Sequence, residues 1–140
     1  MHSIVPYEDR VHRQAVVDLW AAAFGSGTGH NEPRLSIDKK LAVNDGLFFV
    51  ATVGGRVVGT TLAGYDGHRG WLYSVAVDPA FRRSKVGADL VRHAERALVS
   101  RGCMKVNLQV VGSNEGVVPF YESLGYLVED RISMGRRVDG

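Results

Sequence analysis

One stretch of the sequence constrains the fold more than any other: an apolar strand runs into a basic loop, which leads directly into an amphipathic helix. The strand is Leu72–Val77, and the loop carries Arg82-Arg83-Ser84-Lys85. The helix repeats apolar residues at the 3.6-residue helical spacing, namely Leu90, Val91, Ala94, Ala97 and Leu98. The first turn of a helix presents N–H groups without partners inside the helix, and the helix dipole is positive there. Such a unit is typical of a phosphate-binding site.

The composition favours one soluble domain covering residues 1–140. Of the 140 residues, 45% are hydrophobic and 23% are charged, and the net charge of +2 is too small to indicate a nucleic-acid partner. Met1–Pro6 lacks the pattern of a secretory signal, and no apolar stretch approaches the ~20 residues that span a bilayer. Cys103 is the single cysteine, and the five histidines lack metal-ligand spacing. We therefore expect a cytoplasmic protein with no membrane partner and no metal.

The hydrophobic periodicity predicts the element order β-α-α-β-β-β-α-β-α-β. The predicted elements are strand Ile4–Tyr7, helices Asp9–Phe24 and Leu35–Val43, strands Leu47–Val53, Arg56–Gly64 and Trp71–Val77, helix Gly87–Ser100, strand Lys105–Val110, helix Val117–Leu124 and strand Tyr126–Met134. Hairpin-connected strands followed by a β-α-β unit indicate a mixed sheet covered by helices, so we expect an α+β, three-layer (α/β) domain. Its sheet is mostly antiparallel, with helices on both faces. Arg131–Met134 would offer an edge strand through which two copies pair as a homodimer.

These motifs resemble the GNAT superfamily of acetyl-CoA-dependent N-acetyltransferases. Val75-Ala76-Val77-Asp78-Pro79 followed by Arg82, Lys85 and Gly87 is similar to the family's CoA-binding motif, Arg/Gln-x-x-Gly-x-Gly/Ala. Asn114 and the run Phe120–Tyr126 resemble its C-terminal Asn…Tyr-x-x-x-Gly-Phe/Tyr signature. The element order matches over nearly the whole chain, so the resemblance implies the GNAT-like acyl-CoA N-acyltransferase fold.

The resemblance also implies roles for individual residues. The backbone amides of the loop would bind the CoA diphosphate, and they belong to Arg82, Arg83, Ser84, Lys85, Val86, Gly87 and Ala88. Val75, Ala76 and Val77 would pair with pantetheine like an added strand, and an N–H near Val75 would meet the oxyanion. Tyr121 would protonate the leaving thiolate, and Asn114 would help hold pantetheine. Two structural alternatives remain open: Tyr121 as a core aromatic, and Asn114 as a helix cap.

Two positions depart from the family pattern. Gln109 stands where some relatives carry a glutamate base, so the base would come from elsewhere, and the candidates are Glu32, Asp66 and His68. An amine that loses its proton through ordered water is the alternative. Lys85 stands where the family usually has glycine. Its side chain either turns outward to contact a CoA phosphate or obstructs the cofactor.

The predicted function is acetyl transfer from acetyl-CoA to a primary amine by direct attack in a ternary complex. The alternatives are a catalytically silent CoA-binding or regulatory module of the same fold and, third, a basic nucleic-acid-binding domain. The sequence does not identify the amine acceptor. We expect the acceptor to bind between the first two helices, the Gly25–Pro33 loop and the Tyr65–Gly70 loop. The candidate lining residues are Trp20, Phe24, Glu32, Asp66 and Arg69. For Trp20 and Phe24, a place in the hydrophobic core is the alternative.

Overall fold

The computed structural model describes residues 1–25 and 27–139; Ser26, within the predicted Gly25–Pro33 loop, and Gly140 lie outside the described residues. The elements are β1 (Ser3–Pro6), α1 (Asp9–Phe24), α2 (Pro33–Val43), β2 (Phe48–Val53), β3 (Arg56–Tyr65), β4 (Gly70–Val77), α3 (Val86–Val99), β5 (Val106–Leu108) and α4 (Val118–Ser123), with short 3₁₀ turns at Gly29–Asn31, Pro79–Phe81 and Gly112–Val117. The chain divides into two compact units, Met1–Gln109 and Val110–Gly140. The first unit holds all five strands and α1 to α3, and the second holds α4.

The first unit is built on a five-stranded sheet in the order β1-β2-β3-β4-β5. The first three pairs are antiparallel, whereas β4 and β5 run parallel from Gly70↔Val106 to Leu72↔Leu108. A parallel pair needs a crossover connection, and α3 supplies it between these two strands. The fold is therefore α+β, with a mixed and mostly antiparallel sheet, as the element order predicted.

Helices cover both faces of this sheet. Val50 packs in the same buried cluster as Val16, Trp20 and Ile37 of α1 and α2, while its neighbour Ala51 belongs to a second cluster. That second cluster includes Val86 and Leu90 of α3. Because successive strand residues point to opposite faces, the two clusters lie on opposite sides of the sheet. Each fully buried large side chain contributes about 1.5–3 kcal/mol.

Gly59 in β3 allows α3 to approach the sheet closely. A Cβ atom at this position would lie 2.9 Å from Leu90 Cδ1 and 3.1 Å from both Ala76 O and Val86 Cγ1. A side chain would therefore push the helix away from the sheet. The glycine fixes the start of α3 against the end of β4.

The predicted final strand, Tyr126–Met134, is wrong, because the structure forms no strand there. Leu127, Val128, Ile132 and Met134 are exposed. Three consecutive charges, Glu129-Asp130-Arg131, interrupt the alternation that a half-buried strand requires. The edge strand that was expected to pair two copies is therefore absent. The predicted strand Lys105–Val110 is also shorter, at Val106–Leu108.

The other predicted elements are confirmed to within a few residues. Pro119 lies in the first turn of α4, where its missing N–H removes no helical hydrogen bond. Across residues 1–25 and 27–139, none of the helices has both the length and the apolar character that crossing a membrane requires.

Candidate active site

Strand β4 contains a bulge at Ser74 and Val75. Its pairing with β3 jumps from Leu62↔Tyr73 to Thr60↔Ala76, so two residues of β4 stand opposite Thr61. Ser74 has a positive φ of 49°. The ladder with β5 ends at Leu72↔Leu108, and among the described residues no further strand pairs with that edge of β4. A bulge redirects backbone groups and ends pairing, so the edge from Tyr73 to Val77 can receive an extended ligand.

A buried chain of hydrogen bonds supports the bulge. Trp20 Nε1 donates to Thr60 Oγ1 at 2.8 Å, and Thr60 Oγ1 donates to the Ser74 carbonyl at 2.9 Å. Thr60 is 0% exposed and Trp20 is 3% exposed. Each such bond contributes about 1 kcal/mol, enough to offset much of the cost of a left-handed serine. Trp20 is therefore a core residue, whereas Phe24 is exposed.

Neither Thr60 nor Ser74 belongs to a motif recognised in the sequence. The available signal was the pair Thr60-Thr61 within a strand whose other interior residues, from Val57 to Gly64, are apolar. A buried hydroxyl needs a partner, and Thr60 finds one at the bulge.

The loop after β4 is closed by Asp78. Its N–H donates to Val58 O at 2.8 Å, its Oδ1 accepts from Ala80 N at 2.9 Å, and its Oδ2 accepts from Arg56 Nη2 at 3.0 Å. Ser84 Oγ donates to Phe81 O. These bonds tie the loop to β3 and leave the basic side chains Arg82, Arg83 and Lys85 exposed.

Lys85 occupies the left-handed conformation that glycine adopts most easily. Its φ is 68° and its ψ is 4°, and Arg83 also has a φ of 68°. Lys85 is the N-cap of α3, and its side chain makes no capping hydrogen bond. The first-turn amides of Val86, Gly87 and Ala88 therefore have neither an intrahelical partner nor a cap from Lys85. An anion is the natural ligand for amides in this arrangement.

The second unit carries Asn114 and Tyr121. Asn114 interrupts its 3₁₀ turn with φ −118° and ψ 26°, and the N-cap of α4 is Val117. Asn114 therefore stands at a kink ahead of the helical residues that lead into α4, and its alternative role as a helix cap stays a prediction. The Tyr121 ring lies 4.9 Å from the Phe120 ring and 6.0 Å from the Tyr126 ring. Burial raises the pKa of Tyr121, so its phenol stays protonated near neutral pH.

The candidate carboxylate bases both have structural partners. Glu32 is the N-cap of α2, and its Oε2 accepts from Leu35 N at 2.8 Å. Asp66 Oδ1 accepts from the amides of His68 and Arg69, both at 2.7 Å, while His68 itself is exposed. The amides of Arg69 and His68 lower the pKa of Asp66 below its ordinary value. A low pKa makes this carboxylate a poor proton acceptor at neutral pH.

Comparison with known proteins identifies the family of the chain. The model of the acetyltransferase (GNAT) family matches residues 13–126. An acetyltransferase of Pectobacterium atrosepticum is 38% identical over 135 residues, which cover 94% of this chain and 95% of the relative.

Two solved structures share the fold at low identity. The PaiA N-acetyltransferase of Thermoplasma acidophilum, in complex with coenzyme A, has a TM-score of 0.79 at 15% identity, over 94% of this chain and 93% of that one. The glucosamine-6-phosphate N-acetyltransferase of Arabidopsis thaliana has a TM-score of 0.71 at 20% identity, over 99% of both chains. With the family model and the Pectobacterium relative each spanning most of the sequence, the chain belongs to the GNAT family of acetyltransferases.

Proposed function

We propose that this protein transfers the acetyl group of acetyl-CoA directly to a primary amine in a ternary complex. The observation that carries the proposal is that one strand, β4, holds both the bulge at Ser74–Val75 and, at its end, the loop with uncapped helix amides. A thioester aligned along the edge of β4 would thus have its diphosphate at the loop and its carbonyl at the bulge.

The binding half of the proposal uses the backbone. The amides of the loop and first helical turn, from Arg82 to Ala88, hold the diphosphate, and the exposed cations of Arg82, Arg83 and Lys85 add attraction. The backbone of Val75, Ala76 and Val77 pairs with pantetheine, and Asn114 contributes a side-chain amide. Holding both substrates in line accounts for about 7 kcal/mol or more of the rate enhancement.

The chemical half needs a donor at the oxyanion and an acid at the sulfur. The amine nitrogen attacks the thioester carbon, a C–N bond forms, and the Val75 N–H donates to the oxygen that becomes negative. One such donor contributes about 3 kcal/mol. The C–S bond then breaks, and the Tyr121 phenol donates a proton to the departing thiolate. Since Glu32 caps a helix and Asp66 has a lowered pKa, we assign no side chain as the base. Water takes one proton from the ammonium before attack and one from the nitrogen after the C–N bond forms, and water returns a proton to Tyr121.

Thiol release measured with a panel of primary amines tests this function. The native protein should release one CoA thiol for each N-acetylated product found by mass spectrometry. Tyr121→Phe should lower kcat by about a hundredfold or more, with little change in the KM for acetyl-CoA, because the phenol acts on the leaving group. An unchanged kcat in Tyr121→Phe would remove the acid role.

The second candidate function is a silent CoA-binding module. The observation that favours it is the lysine in a left-handed position where the family pattern has glycine. Both functions predict a thermal shift with acetyl-CoA, but only the enzyme releases thiol. Acetyl-CoA binding without thiol release from any amine of the panel would select the silent module.

A further inference from the structure

An open pocket of about 320 Å³ lies beside the bulge in the first unit. Its lining includes Lys40, Asp45, Tyr65, Asp66, Trp71 and Tyr73. Tyr73 pairs with Leu62, which packs in the cluster formed with α1 and α2. Directly paired residues share a face of the sheet, so Tyr73 lies on the α1 and α2 side. Tyr73 precedes Val75 by two residues, at most ~7 Å along an extended strand.

The wall of this pocket already stabilises an ammonium group. The Lys40 side chain is 4% exposed, and its Nζ donates to Asp45 Oδ2 at 2.9 Å and to the Ala63 carbonyl. Nζ also lies 5.7 Å from the centroid of the Tyr73 ring. Carboxylate, carbonyl and aromatic ring together are a chemically suitable environment for a cation.

Asp66 gives the pocket one negative charge in excess. Lys40 neutralises Asp45, whose Oδ1 also accepts from Leu47 N at 3.0 Å. Asp66 Oδ1 is taken by two backbone amides, whereas its Oδ2 has Trp71 Nε1 at 3.4 Å, which is a long contact. Oδ2 is thus the oxygen that a cationic ligand can engage, beside the ring of Trp71.

We propose that this pocket binds the acceptor and selects amines that carry a second positive charge. The distal ammonium pairs with Asp66 Oδ2, the alkyl chain lies along Trp71 and Tyr73, and the reacting amine reaches the Val75 amide. The substrate class is a short-chain diamine. This inference rests on the proposed acetyl transfer, and it makes Asp66 a specificity residue rather than the base.

The test compares cadaverine with pentylamine, which has the same chain length and one amine fewer. At saturating acetyl-CoA, the native protein should show a kcat/KM for cadaverine about five-fold above that for pentylamine, because Asp66 is exposed and this is the upper end of what an exposed charge pair contributes. Aminohexanoate, whose carboxylate would face Asp66, should be poorer than pentylamine.

Asp66→Asn is the decisive variant, because an asparagine oxygen can still accept the His68 and Arg69 amides while the charge is removed. The preference for cadaverine should fall to within about two-fold, as expected when a charged partner becomes neutral. Asp18→Asn is the matched control: it removes an exposed carboxylate of α1 that accepts from Gln14, so the preference should be retained. Equal use of both amines by the native protein, or an unchanged preference in Asp66→Asn, would overturn the inference.

Calorimetric titration of cadaverine into the native protein and Asp66→Asn separates the two proposals. If no amine is acetylated, the proposed function fails. The titration then shows by itself whether the pocket binds a diamine through Asp66. Cadaverine binding that is lost in Asp66→Asn supports the pocket. Absence of binding, or equal binding to both proteins, overturns it. If amines are acetylated without any dependence on Asp66, the function stands and the pocket assignment fails.

Discussion

The two ends of β4 are built in different ways. At its C-terminal end, the loop to α3 exposes backbone amides, and two left-handed residues, Arg83 and Lys85, shape it. At its N-terminal end, the pocket is formed by residues of α2, of the α2–β2 and β3–β4 loops, of the end of β3 and of β4 itself, including Lys40, Asp45, Asp66 and Tyr73. The bulge at Ser74 lies between them.

The loop after β4 uses backbone groups that many sequences can supply, whereas the pocket uses side chains particular to this protein. Backbone amides recognise an anion whatever the side chains are, so many sequences fit the loop end. Side chains that converge from separate elements recognise one shape and one charge. We therefore expect substitutions in the loop between β4 and α3 to alter the affinity for acetyl-CoA. Substitutions in the pocket should instead alter which amines are used.

Among these substitutions, Lys40→Met in the pocket should cause the greatest loss of stability. The change leaves the partly buried Asp45 without its partner, and breaking a buried ion pair costs about 3 kcal/mol of the free energy of unfolding. Urea denaturation measures it, and the exposed neighbour Lys39→Met is the control, with a change near zero. If the variant folds, acetyl-CoA affinity should stay near native. A loss of affinity as large as the loss of amine use would contradict the separation of the two ends.

Thr60→Val tests the support of the bulge itself. It keeps the shape of the side chain but leaves Trp20 Nε1 and the Ser74 carbonyl unpaired, which should cost about 1–2 kcal/mol of stability. kcat should also fall, because the Val75 amide is no longer held in place. The neighbouring Thr61→Val is a matched control. The Thr61 hydroxyl makes only a long contact, of 3.4 Å, with Leu62 O, so its removal should cost less stability. Equal effects of the two variants would remove the special role of Thr60.

Two substitutions of Lys85, in the loop between β4 and α3, separate the effect of its charge from the effect of its backbone conformation. Lys85→Gly should raise the free energy of unfolding by about 0.5–1 kcal/mol, since glycine adopts φ 68° without strain. Lys85→Asn, which tolerates the same conformation, should weaken acetyl-CoA binding by about three-fold in a salt-dependent way, because an exposed charge contact is lost. A large gain of acetyl-CoA affinity in Lys85→Gly would instead mean that the lysine obstructs the cofactor.

A small effect of pH on stability is expected from His93 in α3. Burial, reinforced by Arg96, lowers the pKa of His93 below its ordinary 6.5, and its ring lies 4.6 Å from that of Phe49. The folded protein binds this proton less readily than the unfolded protein does. Its contribution to stability is therefore fully present above pH 6.5 and is lost as the pH falls below that value. Urea midpoints near neutral and mildly acidic pH should therefore differ less in His93→Gln than in the native protein. Equal differences would exclude this contribution.

Periodicity was sufficient to predict most of the fold but not the site. The helices and β2 to β4 follow regular apolar spacing, so their existence could be read from the residues. The final strand failed because Glu129-Asp130-Arg131 breaks the alternation. The residues of β4 itself carried no signal for the bulge, because Ser74 adopts a left-handed conformation without being glycine. The sequence pointed to the Tyr65–Gly70 loop and Asp66 as acceptor-site candidates, and both contribute to the pocket. Lys40 and Tyr73 could not be predicted, since they meet only when α2 packs on the sheet.

A single reaction can follow both the thiol released from acetyl-CoA and the acetyl group that reaches the amine. Acetyl-CoA carrying a labelled acetyl group is mixed with the native protein and cadaverine, and released thiol and labelled product are counted together. We expect one released thiol for each labelled N-acetyl amine, at a rate that falls in Asp66→Asn. Acetyl-CoA that binds without either product would contradict it.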